Sequence, residues 1–175
     1  MNKAHSKTPF DTNPVESLYG AIVSFTAAFD GLQKELAASG RDDLKNLADK
    51  LKETLYKPVY PRNETAPISI FEFGVMYVPG ALQLEKPATC RRQQTNLEEV
   101  SFREENGGTY SVNGEKCSHA LKTRASDIKA LFTQCDGLIC DMTVQLEKFP
   151  DCGCEKVTLA VNALLNECFR LRAMF

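Results

Sequence analysis

The sequence predicts an α+β protein that is mainly helical, with two antiparallel helical hairpins arranged like a four-helix bundle and a small antiparallel β sheet or hairpin inserted between them. Three observations lead to this fold class. Apolar residues recur at steps of three and four near both ends of the chain, which is the period of a helix. The middle third is rich in β-branched and aromatic residues and alternates, as strands do. A length of 175 residues suits one domain with a core of its own.

We therefore expect a single domain over residues 1–175, divided into an N-terminal helical hairpin (14–56), a β region (66–113) and a C-terminal helical hairpin (122–175). Hydrophobic residues make up 43% and charged residues 25%, which is typical of folded chains. The net charge of −2 is spread evenly, which argues against nucleic acid as a partner. No apolar run approaches the roughly 18 residues of a membrane span, so no membrane partner is expected.

The N-terminal hairpin has clear helix boundaries. Asn13 is a favoured N-cap residue and Pro14 suits the first helical position. Gly40 can end this helix in a left-handed conformation, and a second helix follows from Asp42 to just before Pro58. The connection is so short that the two helices must be antiparallel. The stripe of the first helix consists of Leu18, Ile22, Phe25, Phe29, Leu32 and Leu36, and that of the second of Leu44, Ala48, Leu51 and Leu55.

The C-terminal hairpin repeats this pattern. One helix is predicted from the stripe Ile128, Phe132, Cys135, Ile139, Met142, Leu146 and Phe149. Pro150 and Gly153 interrupt the period. A last helix is predicted from Val157, Val161, Leu164, Cys168, Leu171 and Phe175. We expect these stripes to form the internal core; the alternative is a coiled-coil seam for another chain in an oligomer.

The β region contains two strand signals. Residues 68–78 predict one strand, paired with residues 81–84 across a Pro-Gly turn, and a helix in this segment is the less favoured alternative. Residues 100–103 and 109–112 flank an Asn-Gly-Gly turn, which is typical of a β-hairpin. Either a small sheet joined to the bundle or a projecting β arm would fit this pattern.

The cysteines are the main candidates for chemistry. Their odd number, and a chain large enough to be stable without disulfides, predict reduced thiols. The polar N-terminus lacks the pattern of a signal peptide, so the sequence predicts a cytoplasmic or nuclear protein. All of them lie in the second half of the chain: Cys90, Cys117, Cys135, Cys140, Cys152, Cys154 and Cys168.

Three candidate sites follow from these residues and from one basic pair. No cofactor is expected. The alternative is a zinc ion, because Cys thiolates and His imidazoles are the usual ligands of zinc. Cys135 and Cys168 stand opposite each other if the last two helices fold back around residues 150–155, and we predict a buried thiol pair there. A pair of arginines would suit an anionic partner. The zinc candidates are Cys152, Cys154, Cys117 and His119, and the arginine pair is Arg91 and Arg92.

The sequence contains no phosphate-binding glycine loop, zinc-protease helix motif or serine nucleophile elbow. It therefore predicts a non-enzymatic protein–protein interaction domain, an adaptor or a subunit of a larger assembly, which contacts another protein or itself through heptad-phased helices. One alternative is a metal- or thiol-dependent protein that uses the cysteine-rich C-terminal half. A second is an effector that is secreted without a leader and stabilised by disulfides.

Overall fold

The computed structural model describes residues 14–61, 66–79, 108–149 and 153–175. Its mainly helical α+β architecture confirms the predicted fold class. In chain order the elements are α1 (Pro14–Ala38), α2 (Asp42–Tyr56), a 3-10 helix (Ile70–Phe73), β1 (Val75–Val78), β2 (Thr109–Val112), α3 (Gly114–Thr123), α4 (Ala125–Thr133), α5 (Leu138–Glu147) and α6 (Glu155–Met174).

The N-terminal hairpin agrees with the prediction. Helix α1 ends at Ala38, and Gly40 takes a positive φ of 65° in the turn that follows. Helix α2 ends at Tyr56, two residues before Pro58, as the restriction on residues preceding proline requires. The predicted stripes are core: Ile22, Phe25, Phe29, Leu32, Leu36, Leu44, Ala48, Leu51 and Leu55 are all buried.

Helix α1 is the central element of the fold, because it packs against α2, α3, α6 and β2. The ring of Phe25 meets Phe132 of α4 edge-on at 6.0 Å, and the ring of Phe29 meets Tyr110 of β2 edge-on at 5.1 Å. A helix that is contacted on so many sides must be apolar over most of its circumference. Three polar residues on α1 are also buried: Thr26 donates to the carbonyl of Ile22 within the helix, whereas Asp30 and Gln33 each bond to a neighbouring element.

The β region differs from the prediction in extent. Only Val75–Val78 of the predicted strand 68–78 is β1, because Ser69 and Glu72 form a capping box around the 3-10 helix and Gly74 turns the chain with a φ of 97°. Strand β1 pairs antiparallel with β2, with Val75 opposite Val112. The predicted partner segments 81–84 and 100–103 lie outside the described residues.

Two features of the C-terminal half were not predicted. Helix α3 begins after Asn113, whose side chain accepts a hydrogen bond from the backbone N–H of Lys116 at 2.9 Å. The helix predicted through residues 128–149 is divided into α4 and α5 by a turn at residues 134–137. Gly137 permits this turn, because a Cβ there would lie only 2.9 Å from two backbone carbonyl oxygens.

The last two helices form the second predicted hairpin. Helices α5 and α6 pack against each other, and Gly153 takes a φ of 68° just before α6 begins. The predicted stripe of α6 is core from Val157 to Leu171. Phe175 is partly buried, and its ring stacks on Phe132 at 5.8 Å. Helix α6 therefore packs mainly against α1 along its length, and Phe175 at its end contacts α4.

Candidate interaction surface

The structure describes five of the cysteines, and it separates them. Cys117 in α3 and Cys168 in α6 are completely buried. Cys135 is exposed, and Cys140 and Cys154 are partly exposed. All five are free thiols. Cys90 and Cys152 lie outside the described residues, and so do Arg91 and Arg92.

The predicted buried pair of Cys135 and Cys168 is wrong. Cys135 lies in the turn between α4 and α5 and faces solvent, whereas Cys168 is in the core. The thiol of Cys168 instead lies within hydrogen-bond reach of Thr143 on α5. The prediction assumed one continuous helix through residues 128–149, and the turn at residues 134–137 removes Cys135 from the stripe.

The structure does not bring the described zinc candidates to one point. Cys117 and His119 are two positions apart on α3, so they lie about 200° apart around the helix. Accordingly Cys117 is buried and His119 is exposed. Among the residues with described positions, no group of three or more His, Cys, Asp and Glu side chains could hold a metal ion.

Burial also suppresses the reactivity of the two core thiols. It raises the pKa of Cys117 to about 11 and, with a smaller contribution from Glu167, the pKa of Cys168 to about 12. Both thiols are therefore protonated near neutral pH. Because the thiolate is the form that attacks electrophiles and binds metals, Cys117 and Cys168 act as small apolar core residues.

A cleft of about 600 Å³ lies between α1, α2 and the sheet. Asp30 and Gln33 lie on its walls, but both are engaged in fastening the fold: Asp30 accepts the backbone N–H of Tyr110, and Gln33 donates to the carbonyl of Ala48. The remaining charged side chains at the cleft are four basic and two acidic residues, namely Lys34, Arg41, Lys45, Lys52, Asp42 and Asp49. Lys34 is paired with Asp30 and Arg41 with Asp43, so the other four carry two charges of each sign and favour no ligand of one charge.

The side of α6 that faces away from the core carries a second stripe. Its five members are all exposed and follow steps of three, four, three and four residues. We call this stripe the α6 seam; it consists of Leu159, Asn162, Asn166, Phe169 and Ala173. Leu159 is 62% exposed and Phe169 is 51% exposed, which are large fractions for side chains of this size.

The α6 seam has the composition of a helix–helix contact. None of its members is charged, and no charged residue occurs in α6 between Lys156 and Glu167. A solvent-facing helix surface ordinarily carries charged side chains. The spacing is that of positions a and d of a heptad, with amide side chains at two of them.

Other large apolar side chains are exposed on other elements. Tyr56, at the end of α2, stacks on the ring of Phe71 at 4.8 Å and is therefore partly covered. In the parts of the chain with described positions, α6 alone exposes two large apolar residues on one helical face. The others are Tyr60, Met76, Val78 and Val144.

Sequence reasoning missed the α6 seam because α6 has apolar residues around most of its circumference. Once Val157, Val161 and Leu164 had been assigned to a core stripe, the outward position of Leu159 depended on how α6 packs against α1. The charge-free stretch between Lys156 and Glu167 was the signal that could have revealed it.

Comparison of the chain with protein-family models, with curated proteins and with solved structures gave no significant match. Over the ranges that the structure describes, no helix is long and apolar enough to cross a membrane. The functional conclusion accordingly depends on the geometry of this chain.

Proposed function

We propose that this chain is a non-enzymatic protein–protein interaction domain that binds an α-helix of a partner protein along the α6 seam. The exposure of Leu159 and Phe169 within a charge-free heptad pattern is the observation that carries the proposal. Removing both side chains from water would contribute about 2–3 kcal/mol before the entropic cost of association. The surface is therefore better suited to an interface than to water.

The surface proposed for the partner differs from the apolar stripes that the sequence offered as possible coiled-coil seams. The stripes that could have been seams on sequence grounds are internal, since residues such as Ile128, Met142 and Leu164 are at most 2% exposed. The opposite side of α6 remains available. Asn162 and Asn166 support a specific helical partner, because a buried amide must find a hydrogen-bonding group at a fixed register.

The compartment is part of the proposal. Buried, protonated thiols at Cys117 and Cys168 are compatible with a reducing compartment, the cytoplasm or the nucleus. The alternatives of thiol chemistry and of a disulfide-stabilised effector predict modified or paired cysteines. An intact mass measured without reductant tests them, because each disulfide lowers the mass by two hydrogens and a bound metal raises it.

The interaction function can be tested by affinity capture of the full chain and its variants from the cells that produce it. Leu159→Glu and Phe169→Glu place a carboxylate on the seam, and Val78→Glu is the matched control, since Val78 is 45% exposed on β1. We expect a specific partner that binds the natural chain and Val78→Glu but is lost with both seam variants. Identical captured proteins for all four chains, or none for any of them, would contradict the proposal.

The test is interpretable because the substituted side chains are exposed. Changes at such positions alter the free energy of unfolding by about 0.5 kcal/mol or less. Circular dichroism melting of Leu159→Glu, Phe169→Glu and Val78→Glu should therefore match that of the natural chain. A loss of binding without a loss of folding is then a property of the surface.

A further inference from the structure

We propose that the helix bound by the α6 seam is α6 of a second copy of this chain, lying antiparallel to the first. The inference depends on the interaction function proposed above and narrows it to a symmetric dimer. Two observations carry it: the four seam members from Leu159 to Phe169 match in type when the helix is reversed, and an antiparallel copy brings Glu155 at the start of α6 close to Arg172 at its end.

Four of the five seam members are symmetric about the height of Leu164, and the fifth, Ala173, falls opposite Glu155. Reversal of the helix about this point places Leu159 at the height of Phe169 and Asn162 at the height of Asn166, because every residue advances the helix by about 1.5 Å. In an antiparallel pair each large apolar residue therefore meets the other type of large apolar residue, at two places. A twofold axis between two copies requires this kind of self-complementary surface.

The amide residues favour the same arrangement. An Asn side chain has both donor and acceptor groups, so Asn162 and Asn166 of two antiparallel chains can satisfy each other. An unrelated apolar helix would leave these amides without partners in the interface, which is unfavourable. Ala163 is exposed on one flank of the seam at nearly the height of the twofold axis, and its small side chain does not obstruct a second helix.

The charges distinguish antiparallel from parallel pairing. Glu155 begins α6, and Arg172, in its last turn, is exposed. Antiparallel copies bring Glu155 within about one residue of the height of the second copy's Arg172 at both ends, and their helix dipoles oppose each other. Parallel copies would instead place Glu155 beside Glu155 and Arg172 beside Arg172. The same reversal places Lys156 at the height of the second copy's Arg172, so each end combines the attraction of Glu155 with a repulsion from Lys156. The antiparallel arrangement is favoured because it separates the two Glu155 carboxylates, which parallel copies bring together.

Sedimentation of the full chain over a range of concentrations tests the dimer. One helix on each side makes a small interface, so we expect a reversible dimer with a dissociation constant in the micromolar range. Leu159→Glu and Phe169→Glu should each raise this constant at least about tenfold, because the twofold axis repeats the lost contact. Val78→Glu should leave it unchanged.

Mixing two variants tests the direction of the helices. In an antiparallel pair of Leu159→Glu with Phe169→Lys, the introduced carboxylate faces the introduced ammonium at one place, and the natural Phe169 and Leu159 meet at the other. We therefore expect the mixture to form a heterodimer more tightly than either variant pairs with itself. Parallel pairing would restore neither contact.

The outcomes separate this inference from the function that it narrows. A natural chain that stays monomeric throughout, or a mixture that associates no better than its components, would overturn antiparallel self-pairing. The interaction function would still stand if capture identified a different partner that is lost with both Leu159→Glu and Phe169→Glu. If the chain neither pairs with itself nor captures a seam-dependent partner, both proposals fail.

Discussion

Replacement of Asp30 by alanine should destabilise the protein, because this side chain fastens β2 to the central helix α1. Asp30 is 8% exposed, and its Oδ1 accepts the backbone N–H of Tyr110 at 3.0 Å. Its Oδ2 lies 2.7 Å from the ammonium of Lys34, one turn farther along α1. The hydrogen bond also fixes the backbone of Tyr110, whose ring packs on Phe29.

The magnitude follows from these two contacts. Loss of a charge-assisted hydrogen bond that leaves a buried N–H without an acceptor costs about 1.5–3 kcal/mol. The pair with Lys34 adds only about 0.3–0.5 kcal/mol, because the side chain of Lys34 is 57% exposed and the attraction is screened by water. We expect Asp30→Ala to lower the free energy of unfolding by about 2–3 kcal/mol. Asp30→Asn keeps an acceptor and should cost about 1 kcal/mol.

Urea unfolding followed by circular dichroism measures these differences, and amide hydrogen exchange at Tyr110 locates them. Lys34→Met is the control for the ion pair and should change the free energy of unfolding by less than about 0.5 kcal/mol. If Asp30→Ala melts like the natural chain and the amide of Tyr110 stays protected, the proposed fastening is wrong. If Asp30→Asn costs as much as Asp30→Ala, the negative charge matters more than the acceptor.

Three further predictions concern the thiols and the glycines. Iodoacetamide should label Cys135 in the folded protein and reach Cys117 and Cys168 only after unfolding, as peptide mass spectrometry would detect; equal labelling of all three would show that the core is open. Burial raises the pKa of Cys168 to about 12 from its ordinary 9.0, so the unfolded chain loses this proton first. This contribution to stability is complete below pH 9 and should be lost up to about pH 12, at about 1.4 kcal/mol per pH unit. Cys168→Ala should remove this part of the slope when urea midpoints are compared, and the part that belongs to Cys117, whose pKa is raised to about 11, remains. Gly137→Ala should cost about 1–3 kcal/mol because its Cβ would meet two carbonyl oxygens at 2.9 Å, whereas Gly20→Ala, with open space in α1, should stabilise by about 0.5–1 kcal/mol in the same assay.

The alkaline prediction has a specific contradiction. If the natural chain and Cys168→Ala lose stability equally above pH 9, the buried thiol does not titrate as its environment requires. The glycine pair is likewise a matched comparison, since both substitutions add one methyl group. Equal effects of Gly137→Ala and Gly20→Ala would mean that the turn between α4 and α5 tolerates a side chain.

The parts of the fold that were predicted correctly depend on local signals in the sequence. Some parts that were not predicted also have such signals. The boundaries of α1 and α2 follow from proline, glycine and apolar spacing. Two further signals were readable: the Ser69–Glu72 capping box, and Asn113 three residues before a backbone N–H that it caps. Each involves residues within one turn of the chain, where geometry is determined by neighbours in sequence.

The candidate surface required more than local signals. An apolar residue at Leu159 or Phe169 is equally compatible with core and with surface until the packing partner of α6 is known. The helical hairpin was predicted, but the position of Cys135 was not. A short turn at residues 134–137 separates α4 from α5, so Cys135 lies in this turn and not on a helical stripe. Errors of this kind arise wherever a stripe crosses an unrecognised turn.

By itself, then, the sequence determined the mainly helical class, both helical hairpins and most of the core, because caps and apolar periodicity act over a few residues. The tertiary structure decided the pairing of β1 with β2, which joins strands separated by residues 79–108, and the burial of Cys168 without Cys135. It also decided which face of α6 remains in contact with water. These features depend on contacts between residues far apart in the chain, and a local sequence pattern does not indicate which distant residues will pack together.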